Sequence, residues 1–160
     1  MQPIVKADEV NNIHVSITHN QDFGVAIAFP EEHPMGIDIE DVNDKNLFPL
    51  KEQMTKAEWN VYRKLNLSEI QYATMLWTAK EALSKVFKTG LMTPFFIYEI
   101  ANIRQTEWST YISNFVNFPQ YKAISYLHQR SVLTIVCPKN TEINPKNESL
   151  LHDWISEREG

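Results

Sequence analysis

The stretch MGIDIEDV, Met35 to Val42, decides how this chain is read. Ile37 and Ile39 alternate with Asp38 and Glu40, so an extended segment sends the isoleucines to one face and the carboxylates to the other. Such a strand has an apolar face for a core and an acidic face that needs a partner. Upstream, IHVSITHNQDFGVAIAF alternates Ile13, Val15 and Ile17, passes through polar HNQDFG, and alternates again at Val25, Ile27 and Phe29, which predicts a β-hairpin. Pro30 and EEHP separate that hairpin from the acidic strand.

Downstream the period changes. Thr55 with Glu58 three residues on is a capping-box signature and predicts a short helix starting near Thr55. Ser68 with Gln71 opens a longer, proline-free helix through WTAKEALSKVF, and Gly90 stands where a helix end favours a left-handed residue. On that helix Leu76, Ala79, Leu83, Val86 and Phe87 form a core-facing stripe, while Trp77, Glu81 and Lys85 follow one another at i,i+4 on a different side, with Lys88 nearby. FFIYEIAN and TEWSTYISNFVNF read as strand-forming. YKAISYLHQRSVLTIVCP reads as a second hairpin whose order of apolar strand, polar turn, apolar strand and proline resembles the first. The tail is polar, with SLLHDWISE as a terminal helix. The expected fold class is α+β, with antiparallel strands packed on one long helix.

Composition narrows the function classes. At 160 residues and 43% hydrophobic, the chain suffices for one sizeable core. A formal net charge of -5 gives no electrostatic case for nucleic acid. Cys137 is the single cysteine, so no intrachain disulfide forms, no zinc spacing is present, and a reducing, cytoplasmic setting is expected. The N-terminus lacks an apolar leader, and no run is long enough to span a bilayer, so no membrane role is expected.

Each chemical feature has a plain structural reading beside the functional one. Asp38 and Glu40 on one strand face describe a solvated face as readily as a metal site. Glu81 and Lys85 describe a helix surface pair, worth about 0.2–0.5 kcal/mol. Trp77 describes packing, and His19 a polar turn residue.

Taken together, in order, these segments are similar to a known signature. GIDIE followed by WTAKEALSK, with VSITHN before them, resembles the motifs of the 4'-phosphopantetheinyl transferase superfamily, the family of the holo-acyl-carrier-protein synthases. The resemblance runs from about Ile13 to Lys88, and the second hairpin fits the family's closing strands. The chain looks like a shortened member, similar to the C-terminal half of the larger two-half type. It is expected to be one domain over 1–160, with the 13–29 hairpin resembling the end of a first half, 35–138 a second-half-like unit and 139–160 a polar tail.

The resemblance implies transfer of 4'-phosphopantetheine from coenzyme A to a serine of an apo acyl or peptidyl carrier protein, with 3',5'-ADP leaving. It implies Asp38, Glu40 and Glu81 as ligands of Mg²⁺, which favours such oxygen donors; Mn²⁺ would suit them as well. It implies Lys85 at the phosphates, with Lys80 at the same site and His19, Thr18 and Trp77 bordering coenzyme A. Glu81 or Glu40 would receive the serine proton. The carrier is expected near Asn46 to Leu67, where Lys51, Lys56, Arg63 and Lys64 suit an acidic partner. Only Lys6 stands as a basic residue before the hairpin, so the nucleotide would be gripped weakly or by a second subunit, and a homo-oligomer is expected on that ground. Two alternatives remain: a non-catalytic relative that binds coenzyme A or a carrier, and a metal-dependent phosphohydrolase with the same acidic triad.

Overall fold

The computed structural model describes residues 4–7, 10–106 and 109–159. Strands β1 (Ile4–Ala7), β2 (Val10–His19) and β3 (Gly24–Pro30) form an antiparallel three-stranded sheet in that order. Strand β4 (Gly36–Asp41) then opens a second sheet. Helices α1 (Leu47–Glu52), α2 (Lys56–Tyr62) and α3 (Glu69–Phe87) follow, and β5 (Ile100–Gln105), β6 (Thr110–Phe115), β7 (Tyr121–Leu127) and β8 (Ser131–Pro138) complete it in the order β4-β8-β7-β6-β5. Helix α4 (Pro145–Glu159) closes the chain. This is the expected α+β arrangement of antiparallel strands on one long helix.

Local chemistry explains the helix starts. Thr55 accepts from the Glu58 N–H while Glu58 accepts from the Thr55 N–H, and Ser68 and Gln71 repeat the exchange, so both capping boxes close. Helix α3 ends earlier than Gly90. Lys88 takes the left-handed conformation at φ 57°, and its N–H returns to Lys85 and Ser84 carbonyls. Gly90, also left-handed at φ 55°, begins a 3₁₀ turn instead.

The core differs from a one-sided stripe. Leu76, Ala79 and Leu83 are buried as the periodicity predicts, but so are Tyr72, Met75, Thr78, Lys80, Ala82 and Ser84. Helix α3 lies on β4, β8 and β7 while α1 covers another side, so most of its circumference is enclosed. Val86 and Phe87 lie at the margin of this core. A smaller cluster joins Phe23 to Ile37, Ile39, Tyr126, Leu133 and Cys137.

The FFIY part of the expected strand is a 3₁₀ turn, Phe95–Tyr98, and the strand begins only at Ile100. In TEWSTYISNFVNF the strand covers Thr110–Phe115, with Glu107 and Trp108 outside the described residues. The two hairpins, β2–β3 and β7–β8, lie in different sheets. The terminal helix is longer than SLLHDWISE, and the side chain of its Trp154 is outside those described, as is that of Lys6 on β1. Among the described residues no helix is long and apolar enough to cross a membrane.

The two sheets meet at a seam made by side chains. Strand β4 is an edge strand, and its outward N–H groups at Ile37 and Ile39 donate to Ser16 Oγ and Thr18 Oγ1 of β2, both at 3.1 Å. Residues paired across an antiparallel ladder share a face, so Ser16 and Thr18 turn inward with Ile27 and Val25. Ile17 is thereby turned out, 53% exposed.

Candidate functional site

Strand β4 and helix α3 are held unusually close. A Cβ placed on Gly36 would lie 2.0 Å from the Ala82 carbonyl oxygen and 3.2 Å from Val86 Cγ2, so only glycine permits this approach. The approach brings Asp38 and Glu40 from β4 together with Trp77, Glu81 and Lys85 from α3. The i,i+4 spacing on α3 makes those three side chains a row along the strand.

Lys85 Nζ lies 2.8 Å from Asp38 Oδ1 and 2.8 Å from the Ile37 carbonyl, with the Ile17 carbonyl at 3.4 Å. Thr18 Oγ1 donates to the same Asp38 oxygen at 3.1 Å. The other oxygen, Asp38 Oδ2, is buried without a hydrogen-bond partner, and so is Glu81 Oε1. The Trp77 indole lies by the Glu40 carboxylate and favours its ionised form, and its ring stacks on Phe95 with centroids 4.8 Å apart. The structure thus brings Asp38, Glu40, Glu81, Lys85, Trp77 and Thr18 together. His19, exposed at the end of β2, follows directly on Thr18.

Electrostatics single out the three acids. Burial pushes Asp38 above the usual carboxylate range, with Lys85 opposing. Burial and the charge of Asp38 push Glu40 up, opposed by the Trp77 hydrogen bond. Glu81 is pushed up to about 7 by burial and then by Asp38, with Lys85 opposing and Glu40 adding to the rise. Like charges crowded out of water behave this way unless a cation joins them.

An all-oxygen donor set with two buried, unpartnered carboxylate oxygens fits a hard divalent cation. The donors are not drawn in around one point, however. Among the described residues no group of three or more His, Cys, Asp or Glu has the spacing to hold a metal ion.

Lys80 corrects an expectation. It is not beside Lys85 at this site but 1% exposed in the core, where Nζ lies 2.9 Å from Glu58 Oε2 and 2.9 Å from the Gln53 carbonyl. Adjacent helix positions differ by about 100°, so Glu81 facing β4 turns Lys80 toward α2. Burial holds its ammonium below the ordinary lysine range, with Glu58 opposing.

Two supporting residues were not singled out from sequence. Ser16 caps the Ile37 N–H, and Asn20 Nδ2 donates to Asp41 Oδ1 at 2.7 Å while Asn20 Oδ1 accepts from Phe23 and Asp22 N–H groups of the turn. The polar alternation Ser16, Thr18, Asn20 is the signal that could have shown them.

Comparison with curated proteins yields no match. The family model described as "4'-phosphopantetheinyl transferase superfamily" matches residues 34–137, which run from just before β4 to the last residue but one of β8 and include every acid and lysine of the site. With most of the chain matched, the acidic strand and the lysine-bearing helix included, the chain belongs to the 4'-phosphopantetheinyl transferase superfamily.

Proposed function

We propose that this chain transfers the 4'-phosphopantetheine group of coenzyme A to a serine of an apo acyl or peptidyl carrier protein in a Mg²⁺-dependent reaction in the cytoplasm. The observation that carries the reading is the pair of buried, unpartnered oxygens, Asp38 Oδ2 and Glu81 Oε1, that strand and helix bring to one lysine-bearing site. Phosphopantetheinyl transfer is the general activity of the superfamily; the donor, the metal and the carrier are part of the proposal.

In the reaction, the serine Oγ forms a bond to the phosphorus that carries the pantetheine arm. The bond from that phosphorus to the bridging oxygen breaks, and 3',5'-ADP leaves with the electron pair. Mg²⁺, held by Asp38, Glu40 and Glu81, would offset the charge that gathers on the phosphate oxygens, and Mn²⁺ would serve similarly. Lys85, 26% exposed, reaches the site from α3 and offers a compact positive charge to the phosphates. Thr18 would act through Asp38, fixing its Oδ1, and His19, exposed at the end of β2, would contact a phosphate of coenzyme A. Trp77, beside Glu40, would favour its ionised form. The serine proton would go to Glu81 or Glu40, directly or through a metal-bound water.

The carrier would dock on α1 and α2. Phe48 is 74% exposed on α1, and Lys56 at the start of α2 and Arg63 and Lys64 just after its end are exposed. Lys51 is partly engaged, with Nζ 3.1 Å from Glu69 and 4.8 Å from the Trp59 ring centroid.

The test is intact-protein mass spectrometry of a panel of apo carrier proteins incubated with the chain, coenzyme A and Mg²⁺, against an EDTA control. A metal-dependent gain of one phosphopantetheine supports the reading. Coenzyme A binding without any gain would favour the non-catalytic alternative, and release of pantetheine phosphate without a carrier would favour the hydrolase.

A further inference from the structure

Lys85 is fully engaged where it stands. An ammonium has three N–H donors, and those of Lys85 face three acceptors of the seam, Asp38 Oδ1 and the carbonyls of Ile37 and Ile17. A phosphate can be contacted from this position only if one of those bonds is given up. The bond most open to exchange is the one to Asp38, because that carboxylate also belongs to the acidic set. Its Oδ1 already receives Thr18 as well as Lys85, while its Oδ2 has no partner.

We infer that Lys85 and a divalent cation are alternative counter-charges for Asp38, so that loading the cation withdraws the ammonium from the strand and makes it available to an anionic substrate. The inference rests on the reading that Asp38, Glu40 and Glu81 take the cation. A cation on Asp38 and an ammonium on the same carboxylate repel each other, and the flexible lysine stem is the part free to move. Cation binding and substrate binding are then coupled through a single side chain, and by linkage each strengthens the other.

Site-resolved amine labelling of the wild-type chain tests this, with reductive methylation at fixed pH and ionic strength and Lys85 modification followed by peptide mass spectrometry with and without saturating Mg²⁺. Expected is a rise of about threefold or more at Lys85, with buried Lys80 and exposed Lys56 unchanged as internal references. Calorimetric titration of Lys85→Met with Mg²⁺ should give binding about tenfold tighter than wild type, since a competing positive charge is gone. Unchanged or reduced labelling at saturating Mg²⁺ overturns the inference, as does equal or weaker Mg²⁺ binding by Lys85→Met. If that variant does not fold, the wild-type labelling decides alone. Absence of any Mg²⁺ or Mn²⁺ binding by wild type would bring down the metal reading itself, and the inference with it. Normal binding with unmoved labelling removes only the inference.

Discussion

Replacing Lys80 by methionine separates its observed position from the one implied by family resemblance. Lys80 and Glu58 are 1% and 0% exposed, and the carboxylate also receives the Thr55 N–H at 2.8 Å and the Ile100 N–H at 2.9 Å. Lys80→Met removes the sole cation in that set of contacts and leaves the Gln53 carbonyl without this donor. Breaking a buried pair from one side costs about 3–5 kcal/mol. At about 2–4 °C per kcal/mol for a chain of this size, the midpoint should fall by roughly 6–20 °C. Adding Glu58→Gln removes the stranded charge while keeping an oxygen for one of the two N–H groups, so the double variant should regain at least about 1.5 kcal/mol over the single. Urea and thermal unfolding give the energies, and coenzyme A affinity is measured at a temperature where the variants stay folded. A cost below about 1 kcal/mol together with a tenfold loss of coenzyme A affinity would refute the reasoning and place Lys80 at the phosphates.

Four further outcomes follow from the same geometry. Gly36→Ala drives a Cβ into the Ala82 carbonyl, so it should cost at least about 2–3 kcal/mol, and any folded fraction should bind Mg²⁺ much more weakly because β4 is displaced from α3; unfolding curves and calorimetry check both. Because Glu81 is raised to about 7 from an ordinary 4.5, Mg²⁺ affinity should climb as pH rises through about 7 and then level off, with proton release seen in buffers of different ionisation enthalpy. The same raised value means that, in EDTA, the contribution of Glu81 to stability is greatest below its unfolded pKa and is lost as pH rises through about 7. Phe48→Ser should raise KM for the carrier several-fold and leave coenzyme A affinity unchanged; equal kinetics would move docking away from α1.

How much was legible depended on whether a residue's role is local. Thr55 with Glu58 and Ser68 with Gln71 are exchanges within one turn, so spacing alone revealed them. Asp38 and Glu40 were legible as a shared face, and Glu81 and Lys85 as a row, because the 2- and 3.6-residue periods are written in the chain. Which faces meet is not written there. Lys80 carries the same charge as Lys85, and only the burial of Glu58 on α2 decides that it turns inward. The hairpin deceives in the same way. Apolar alternation would send Ile17 to the core, but the edge of β4 requires oxygen acceptors, and Ser16 and Thr18 win the inward face. Helix α1 was not among the expected elements; it carries Pro49 in its first turn, where the missing N–H would have no helical partner in any case. Gly90 is left-handed as its position suggested, but it is Lys88, two residues earlier and also left-handed, that caps α3.

The hydroxyl seam has a bearing on how this protein avoids sticking to itself. A sheet edge with free N–H groups is a template onto which any extended chain can add, because backbone pairing ignores side-chain identity. At β4 that template is filled by Ser16 and Thr18, two side chains of one strand. Peeling β2 away would uncover the donors of Ile37 and Ile39 together with the apolar surface beneath Phe23 and Phe29. The hairpin is therefore a cover over an aggregation-prone edge as well as a border of the site, and Ser16→Val with Thr18→Val would loosen both at once.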